Sequence, residues 1–534
     1  MSPAGKSRGT TLAIVLLALG SMPGLGPRNR QKDRQPAKFV IATHLVEIGI
    51  VVDDQSGNPV SGLTQKDFTV FDNGHLQGSS FFSASARRSS QPSLALPPNA
   101  YTNVLNARAG VPPGVTIILL DGLNTALADQ AYARNQVIKY LQTIRPQDHV
   151  ALYALGEKLT VIHDFTTDAS SLLVSLSHYE GSAASTLRPP RIAPISAPGP
   201  FAQLNSFLAD INHNSVAFFS VNRAAMTLDA LNAIARHVEG LPGRKNLIWV
   251  VGDVPISFSF QDSRTPLLTR LERFSRDPVR QTEQLLANAD VALYPVDARG
   301  LMGDDPGWGD VIAMQHLAKQ TGGRAFYNTN DIMTSIRRAV ADGEYSYVLG
   351  YYPDHSEWKG EFRKVKVKVD KPGLKVRARQ GYFAIPELHQ KPKDLEEQLG
   401  RMAMDPLDAT GITMTAQVVP IPTNAAREIK LALGFDPRGI VFTSNAGRDT
   451  GALQYALVEF DRAGKILSAV ENPLPISIST AKYVTGTKQG LGFSLIIPLL
   501  RNATQLSVIL RDPATGLAGS LHIPLAKYQT DAPR

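Results

Sequence analysis

An uninterrupted run, Val115-Thr116-Ile117-Ile118-Leu119-Leu120, ends on the carboxylate Asp121 and then on Gly122-Leu123-Asn124-Thr125. A strand with no polar alternation is buried on both faces, which is how strands of parallel sheets read. Parallel strands need long crossovers, so this segment ties the chain to an alternation of strands and helices. The loop at the carboxyl end of such a strand is where doubly wound proteins place their ligands. Asp121 is therefore a candidate site residue. Leu123 cannot ligate anything and limits what such a site would hold.

The alternation continues downstream. Helical spacing is expected over about 128–144, stopped by Pro146, then strands at 150–155 and 159–163 and a helix at 168–176. The stretch 177–222 has weak periodicity and many Pro, Ser and Asn residues, and reads as an insertion. A helix (224–238), a strand (245–251) closing on Gly252-Asp253, a helix (266–289) and a strand (291–296) follow. A helix (310–321), a strand (324–327) and a helix (330–341) complete the set. The expected fold class is α/β, a doubly wound and mainly parallel sheet at 115–344, covered by helices on both faces and flanked by β-sandwich-like domains.

The flanks read differently. At 534 residues the chain is too long for one core. Residues 38–84 form a small all-β unit: Phe39 to Asp53 reads as one long strand, and Asp72-Asn73-Gly74 is a hairpin signal after Asp67 to Phe71. The Ser-, Pro- and Ala-rich stretch 85–114 is a linker. Residues 345–384 return to β patterning, and sheets of few strands rarely stand unaided. These two flanks are therefore expected to pair, with the α/β segment inserted between them. From 385 to 534 a short charged helix at 393–402 precedes strands separated by Gly, Pro, Asp and Asn turns, the pattern of a β-sandwich.

Residues 1–26 look like an export signal, with Lys6 and Arg8 ahead of the short apolar core Thr11 to Leu19. No later segment is long and apolar enough to span a bilayer, so a periplasmic or secreted protein without a stable membrane anchor is expected. Export would permit disulfides, yet there is no Cys, and stability must come from burial. Lys and Arg number 55 against 47 acids, with no basic cluster interleaved with aromatics, which argues against nucleic acid.

Several segments taken in order resemble the von Willebrand factor A (VWFA) domain, and more closely the VWFA-related proteins of Acidobacteria. They are Val60-Ser61-Gly62-Leu63-Thr64 with Asp67-Phe68, then Leu120 to Thr125, Thr227 to Leu231 and Leu241 to Trp249. Tyr347 to Pro353 and Arg379 to Phe383 complete the likeness, which covers about Phe39 to Ala384. The resemblance implies a metal-ion-dependent adhesion site of the form D-x-S-x-S, completed by a distant Thr and Asp. By position, Asp121 matches the leading Asp, Leu123 the first Ser and Thr125 the second, with Thr227 as the loop Thr and Asp253 as the last Asp. The implied metal set is Asp121, Thr125, Thr227 and Asp253, holding Mg²⁺, or Mn²⁺ or Ca²⁺ in its place. Leu123 removes one oxygen ligand from a cation that demands near-octahedral oxygens. Asn124 is expected to point away from the site. The alternative is that Asp121 and Thr125 cap the following helix and tie down the loop.

Other positions have plainer readings. Asp297 and the loop acids Asp304 and Asp305 belong to the same rim, where they could supplement a cation site, but they are most simply solvated. Lys364, Lys366 and Lys368 line one strand face and Val365, Val367 and Val369 the other; this is a solvated face that also deters edge pairing, or a surface for an acidic partner or a membrane. Trp249 reads as core, and His163, His237 and His316 have no metal-ligand spacing. No thiol nucleophile, G-x-S-x-G elbow, H-E-x-x-H pair or phosphate loop occurs. Asp121 to Thr125 superficially matches the D-x-D-x-T loop of haloacid-dehalogenase-like phosphatases, but Leu123 stands where the second Asp would be. The expectation is no enzyme: an exported VWFA-domain protein making protein–protein or adhesive contacts through a degenerate metal site. The alternatives are a metal-free envelope scaffold or a phosphatase-like hydrolase using Asp121.

Overall fold

The computed structural model describes residues 39–40, 46–84, 96–105, 114–181, 202–255, 278–301, 308–353, 361–384, 392–421 and 428–528. The expected export signal, residues 1–26, lies outside them. So do Asp304 and Asp305.

The apolar runs become the middle of one sheet. Its strands are β1 (Thr116–Asp121), β2 (Val150–Leu155), β3 (Leu159–Thr166), β4 (Lys245–Val251) and β5 (Val291–Asp297), in the order β5-β4-β1-β2-β3. Strands β5, β4, β1 and β2 are parallel, and β3 returns antiparallel on β2. Every residue of the four parallel strands is buried, as a strand without polar alternation requires. The helices are α1 (Leu127–Leu141), α2 (Ala169–Ser177), α3 (Ala202–Val238), α4 (Trp308–Thr321) and α5 (Ile332–Glu344). On one face α1, α2 and α5 bring Val137, Leu172 and Ile336 onto Ile118, Leu120 and Ile248. On the other, α3 and α4 bring Leu228, Leu231, Ile234 and Met314 onto Ile117, Leu119 and Trp249. Each such buried side chain contributes roughly 2 kcal/mol. The sheet is wound on both faces, as the alternation predicts.

Three segments differ from expectation. The insertion at 177–222 is in its second half helical, because α3 runs unbroken for 37 residues. No Pro or Gly interrupts Ala202 to Val238, so the backbone has no reason to break, while Ser and Asn dilute the apolar period. The strand expected at 324–327 is reduced to one parallel bridge, Val296 with Phe326. The single long strand expected from Phe39 to Asp53 is two pieces in different sheets. Phe39–Val40 pairs with Thr443 and Ser444, whereas Val46–Asp53 pairs with Ser346–Tyr351.

The flanking strands are interleaved in space. One four-stranded sheet has the order Lys375–Ala378, Val46–Asp53, Ser346–Tyr351, Phe81–Ala84; the other has Gly381–Ala384, Glu361–Val369, Phe68–Asp72, His75–Gln77. Ile48, Ile50, Tyr347 and Leu349 from the first pack on Val70, Val365 and Tyr382 from the second. Asn73 (φ 46°) and Gly74 (φ 88°) make the two-residue turn in which both central residues are left-handed, joining Asp72 to His75. Asp72, fully buried, accepts from Tyr351 Oη (2.9 Å), Tyr382 Oη (2.7 Å) and Arg363 Nε (2.8 Å).

A second buried acid joins this unit to the α/β body. Arg377 donates from Nε (2.5 Å) and Nη2 (2.9 Å) to Asp53 and from Nη1 and Nη2 (both 2.7 Å) to Asp342 on α5. Arg324 adds a bond to Asp53 at 3.0 Å. Arg244, also buried, reaches from the start of β4 to the carbonyls of Gly49 and Gly322 and to Tyr294 Oη. At Gly49 a Cβ would stand 2.5 Å from Asp290 Oδ1, so the flank lies directly against the body there.

The last third is a β-sandwich. Its larger sheet runs Phe39–Val40, Thr443–Asn445, Arg448–Phe460, Gln505–Arg511, Ala518–Pro524, with Ile466–Ser479 also on Arg448–Phe460. Its smaller sheet runs Leu491–Pro498, Glu428–Phe435, Met414–Ile421, Ala100–Thr102. Ala100–Thr102 falls in the expected linker at 85–114 and is instead an edge strand. Asn103 beside it donates to the carbonyls of Ala409 (2.7 Å) and Ile412 (2.8 Å), bonds that composition does not announce. Among the described residues no helix is long and apolar enough to cross a membrane.

Replacing Arg377 by Met leaves Asp53 and Asp342 buried without their shared cation. Equilibrium urea unfolding should show a loss of about 3–5 kcal/mol, the usual effect of removing one partner from a buried ion pair.

Candidate functional site

The carboxyl ends of β1, β4 and β5 carry Asp121, Asp253 and Asp297, and α3 brings Thr227 alongside. Asp121 is 2% exposed. Its Oδ1 accepts from the Asn124 amide N (2.9 Å), and its Oδ2 from Asn124 Nδ2 (2.8 Å) and Trp249 Nε1 (2.9 Å). The same Asn124 Nδ2 donates to Thr227 Oγ1 at 2.8 Å, and Thr227 Oγ1 donates to the Arg223 carbonyl at 2.8 Å. One side-chain amide thus spans the acid and the hydroxyl that the resemblance assigns to a cation.

This corrects the orientation expected of Asn124. Leu123, apolar and 4% exposed, turns into the core under β1, and its N–H binds the Leu155 carbonyl at 2.9 Å. The next side chain then faces inward, where its two N–H groups meet two oxygens. Thr125 is spoken for as well: its Oγ1 accepts from Gly252 N at 2.9 Å. Asn124 O accepts from Asp253 N at 2.9 Å. A Cβ on Gly252 would sit 3.3 Å from Thr125 Cα, so the close approach of these loops favours glycine.

The outer part of the rim holds two arginines, each paired with acids, and Asp253 and Asp310 stand next to each other between them. Arg223, on α3, donates from Nη1 and Nη2 to Asp253 Oδ2 at 3.2 Å and reaches Asn124 Oδ1 at 3.5 Å. Arg299 holds Asp297 through Nε (2.9 Å) and Nη2 (2.8 Å) and Asp310 through Nη1 (2.7 Å). Burial, and then the neighbouring Asp253 carboxylate, pushes the Asp310 carboxyl above its ordinary range. Asp297 thus lies on the same rim as Asp121 and Asp253, not solvated in a loop but 1% exposed and paired.

The donor set does not fit a hard divalent cation. Mg²⁺ takes oxygen lone pairs in near-octahedral array. Here amide hydrogens already lie against Asp121 Oδ2 and Thr227 Oγ1, a guanidinium occupies Asp253, and Leu123 supplies no oxygen. Asp121, Thr227 and, through Arg223, Asp253 are brought together; Thr125 serves the loop. Among the described residues no group of three or more His, Asp or Glu is arranged to hold a metal. A cavity of about 90 Å³ beside Asp121, lined by Leu127, Gln130, Arg134 and Tyr179, has the volume of a few waters and not of a substrate.

Sequence reasoning placed Asp121, Thr227 and Asp253 on the rim but missed Asn124 and Arg223. Trp249 is core, fully buried, but it also donates to Asp121; a buried indole N–H needs an acceptor, which was the available signal. His237 stacks on Phe165 (6.2 Å, 6°), His316 faces Glu283, and His163 lies on the exposed edge strand β3, so the three do not converge.

No family model matches the chain, and no curated protein matches it. Among solved structures it is similar to a von Willebrand factor type A structure from Catenulispora acidiphila, at 10% identity over 82% of this chain and 75% of that one, TM-score 0.27. An aerotolerance-related membrane protein from Bacteroides fragilis matches at 14% identity over 42% of this chain and 98% of that one, TM-score 0.24. The PilB minor pilin from Streptococcus sanguinis matches at 9% identity over 44% of this chain and 61% of that one, TM-score 0.25. Superpositions at these scores carry no argument, and the reading of the rim rests on its own residues.

Burial pushes the Asp121 carboxyl up from 3.8 to about 6, outweighing the N–H groups it accepts from. A carboxyl with a raised folded pKa holds its proton longer when folded, so stability falls as pH rises from about 4 to about 6 and is level above, by up to about 3 kcal/mol. Urea midpoints across that window should show this fall in the wild type, and Asp121→Asn should remove it. Asn124→Ala, which strips a donor from Asp121 and from Thr227, should cost about 1–3 kcal/mol at pH 7.

Proposed function

We propose that this chain is an exported, non-enzymatic protein-interaction module of the VWFA type, whose rim acts without a metal. The observation that carries this reading is Asn124: its amide fills the place between Asp121 and Thr227 that a cation would take. Hydrogen-bond donors from Asn124, Trp249 and Arg223 supply the positive potential that the acids of the rim need. A rim satisfied internally presents a fixed pattern of charge to a partner, with Arg223 and the half-exposed Asp253 at its outer edge. Electrostatic complementarity of that kind sets specificity and association rate.

Two observations weigh against the hydrolase alternative. Asp121 is buried with both oxygens engaged, so an attack on phosphorus would have to break three hydrogen bonds. Leu123 is packed in the core where that mechanism needs a second acid. Protein binding is the better reading, and the metal-free scaffold is a special case of it.

Isothermal calorimetry of the folded chain with Mg²⁺, Mn²⁺ and Ca²⁺ should give no saturable heat. A stoichiometric binding curve would restore the metal version. A pull-down from the envelope fraction of the source organism should recover the same partner with and without chelator, and lose it with Arg223→Glu. Recovery that needs a divalent cation would overturn the proposal.

A further inference from the structure

The lysine-bearing strand of the flanking unit has an unfinished edge. On one side Glu361–Val369 pairs along its second half with Phe68–Asp72; on the other its first half, Glu361 to Lys364, pairs with Gly381–Ala384, and the ladder ends one bond later at Val365. The direction of its peptide groups follows from the bonds it makes. The Lys364 carbonyl accepts from Asn73 N (2.8 Å) and Asp370 N donates to Asp67 O (2.9 Å), so the even-numbered residues face Phe68–Asp72. Val365 faces the opposite way and donates to the Gln380 carbonyl at 2.9 Å. Val367 is next in that row, and among the described residues nothing continues the ladder on its side.

A second open edge stands across from it. Lys375–Ala378 is the outermost strand of its sheet. Its Val376 lies opposite Val52, whose carbonyl is turned away to accept from Val60 N at 2.7 Å. The peptide groups of Val376 therefore point outward. Between Val367 and Val376 lies a cleft of about 880 Å³, whose walls also include Phe71, Lys364, Lys366 and Lys368. Lys364 and Lys366 make no ion pair among the described residues, and Lys368 lies over the Phe71 ring at 5.1 Å. Arg379 at the cleft, 7% exposed, has an Nε without a hydrogen-bond partner.

We infer that this cleft takes an extended acidic peptide of a partner protein as an added β-strand. Strand addition supplies affinity through main-chain bonds and specificity through alternate side chains. The period of two on Glu361–Val369 fixes the pattern: acidic side chains alongside Lys364, Lys366 and Lys368, apolar ones on the side of Val365 and Val367. Unpaired edges are normally blunted by charge. Here the same lysines repel basic or identical strands and admit an acidic one. This site lies apart from the rim, and its failure would leave the rim reading untouched.

The test is fluorescence anisotropy of a labelled octapeptide of alternating Glu and Val, titrated with the full chain. Saturable binding is expected, with none for the Lys–Val counterpart. The same Glu–Val peptide N-methylated at alternate amides should bind at least about tenfold more weakly, because it cannot complete a ladder. The double variant Lys366→Glu with Lys368→Glu, at exposed positions that leave the fold intact, should weaken the Glu–Val peptide by about tenfold. The inference is overturned by no binding, by equal binding of the N-methylated peptide, or by indifference to the double variant. Dimerisation of the chain that the double variant abolishes would equally overturn it, giving the cleft to a second copy.

Discussion

One guanidinium holds the α/β body to its β flank. Arg377 lies between Asp53, at the end of a flank strand, and Asp342, on a helix of the body, and both carboxylates are almost wholly withdrawn from water. An uncompensated charge at such depth is expensive, so the two units cannot part without exposing the acids or leaving one unpaired. Arg244 repeats the device from the opposite direction, with its fork on carbonyls and a tyrosine hydroxyl. The position of the rim is set by this: Arg244 directly precedes β4, and Gly252 and Asp253 directly follow it, so whatever anchors the start of the strand aims its finish.

The rim shows how an apolar substitution can rearrange a polar site. Leu123 takes the core side of the loop, which leaves Asn124 facing Asp121 and Thr227. An amide carries two hydrogens at a fixed angle and so bridges two acceptors, but it brings no net charge. Arg223 supplies the charge instead, from the helix that also carries Thr227. The remaining acids of the rim are settled in the same way, Asp297 and Asp310 around Arg299.

Much of the central fold was legible because burial on both faces leaves a coarse signature. Val115 to Leu120, Val150 to Leu155, Lys245 to Val251 and Val291 to Val296 all became strands of one sheet. What was not legible depends on partners remote in sequence. Ala100–Thr102 looks like linker because three residues carry no period, and it becomes a strand only beside Met414–Ile421. Phe39–Val40 and Val46–Asp53 read as one strand because nothing local says they belong to separate sheets. At the site, the acids and Thr227 were visible as residue types, whereas the inward turn of Asn124 follows from the packing of Leu123. Side-chain direction within a loop has no period to read.

The split ladders bear on the order in which the chain can assemble. Residues 46–84 leave the ribosome long before Ser346–Tyr351 and Glu361–Val369, the strands that close both of their sheets. The α/β body between them finds its own sheet partners within its span, so it can close first. Doing so brings Ala84 of the early segment within reach of Tyr347 of the late one, which turns a distant encounter into a short one. The middle of the gene product is in that sense the template on which its two ends are joined.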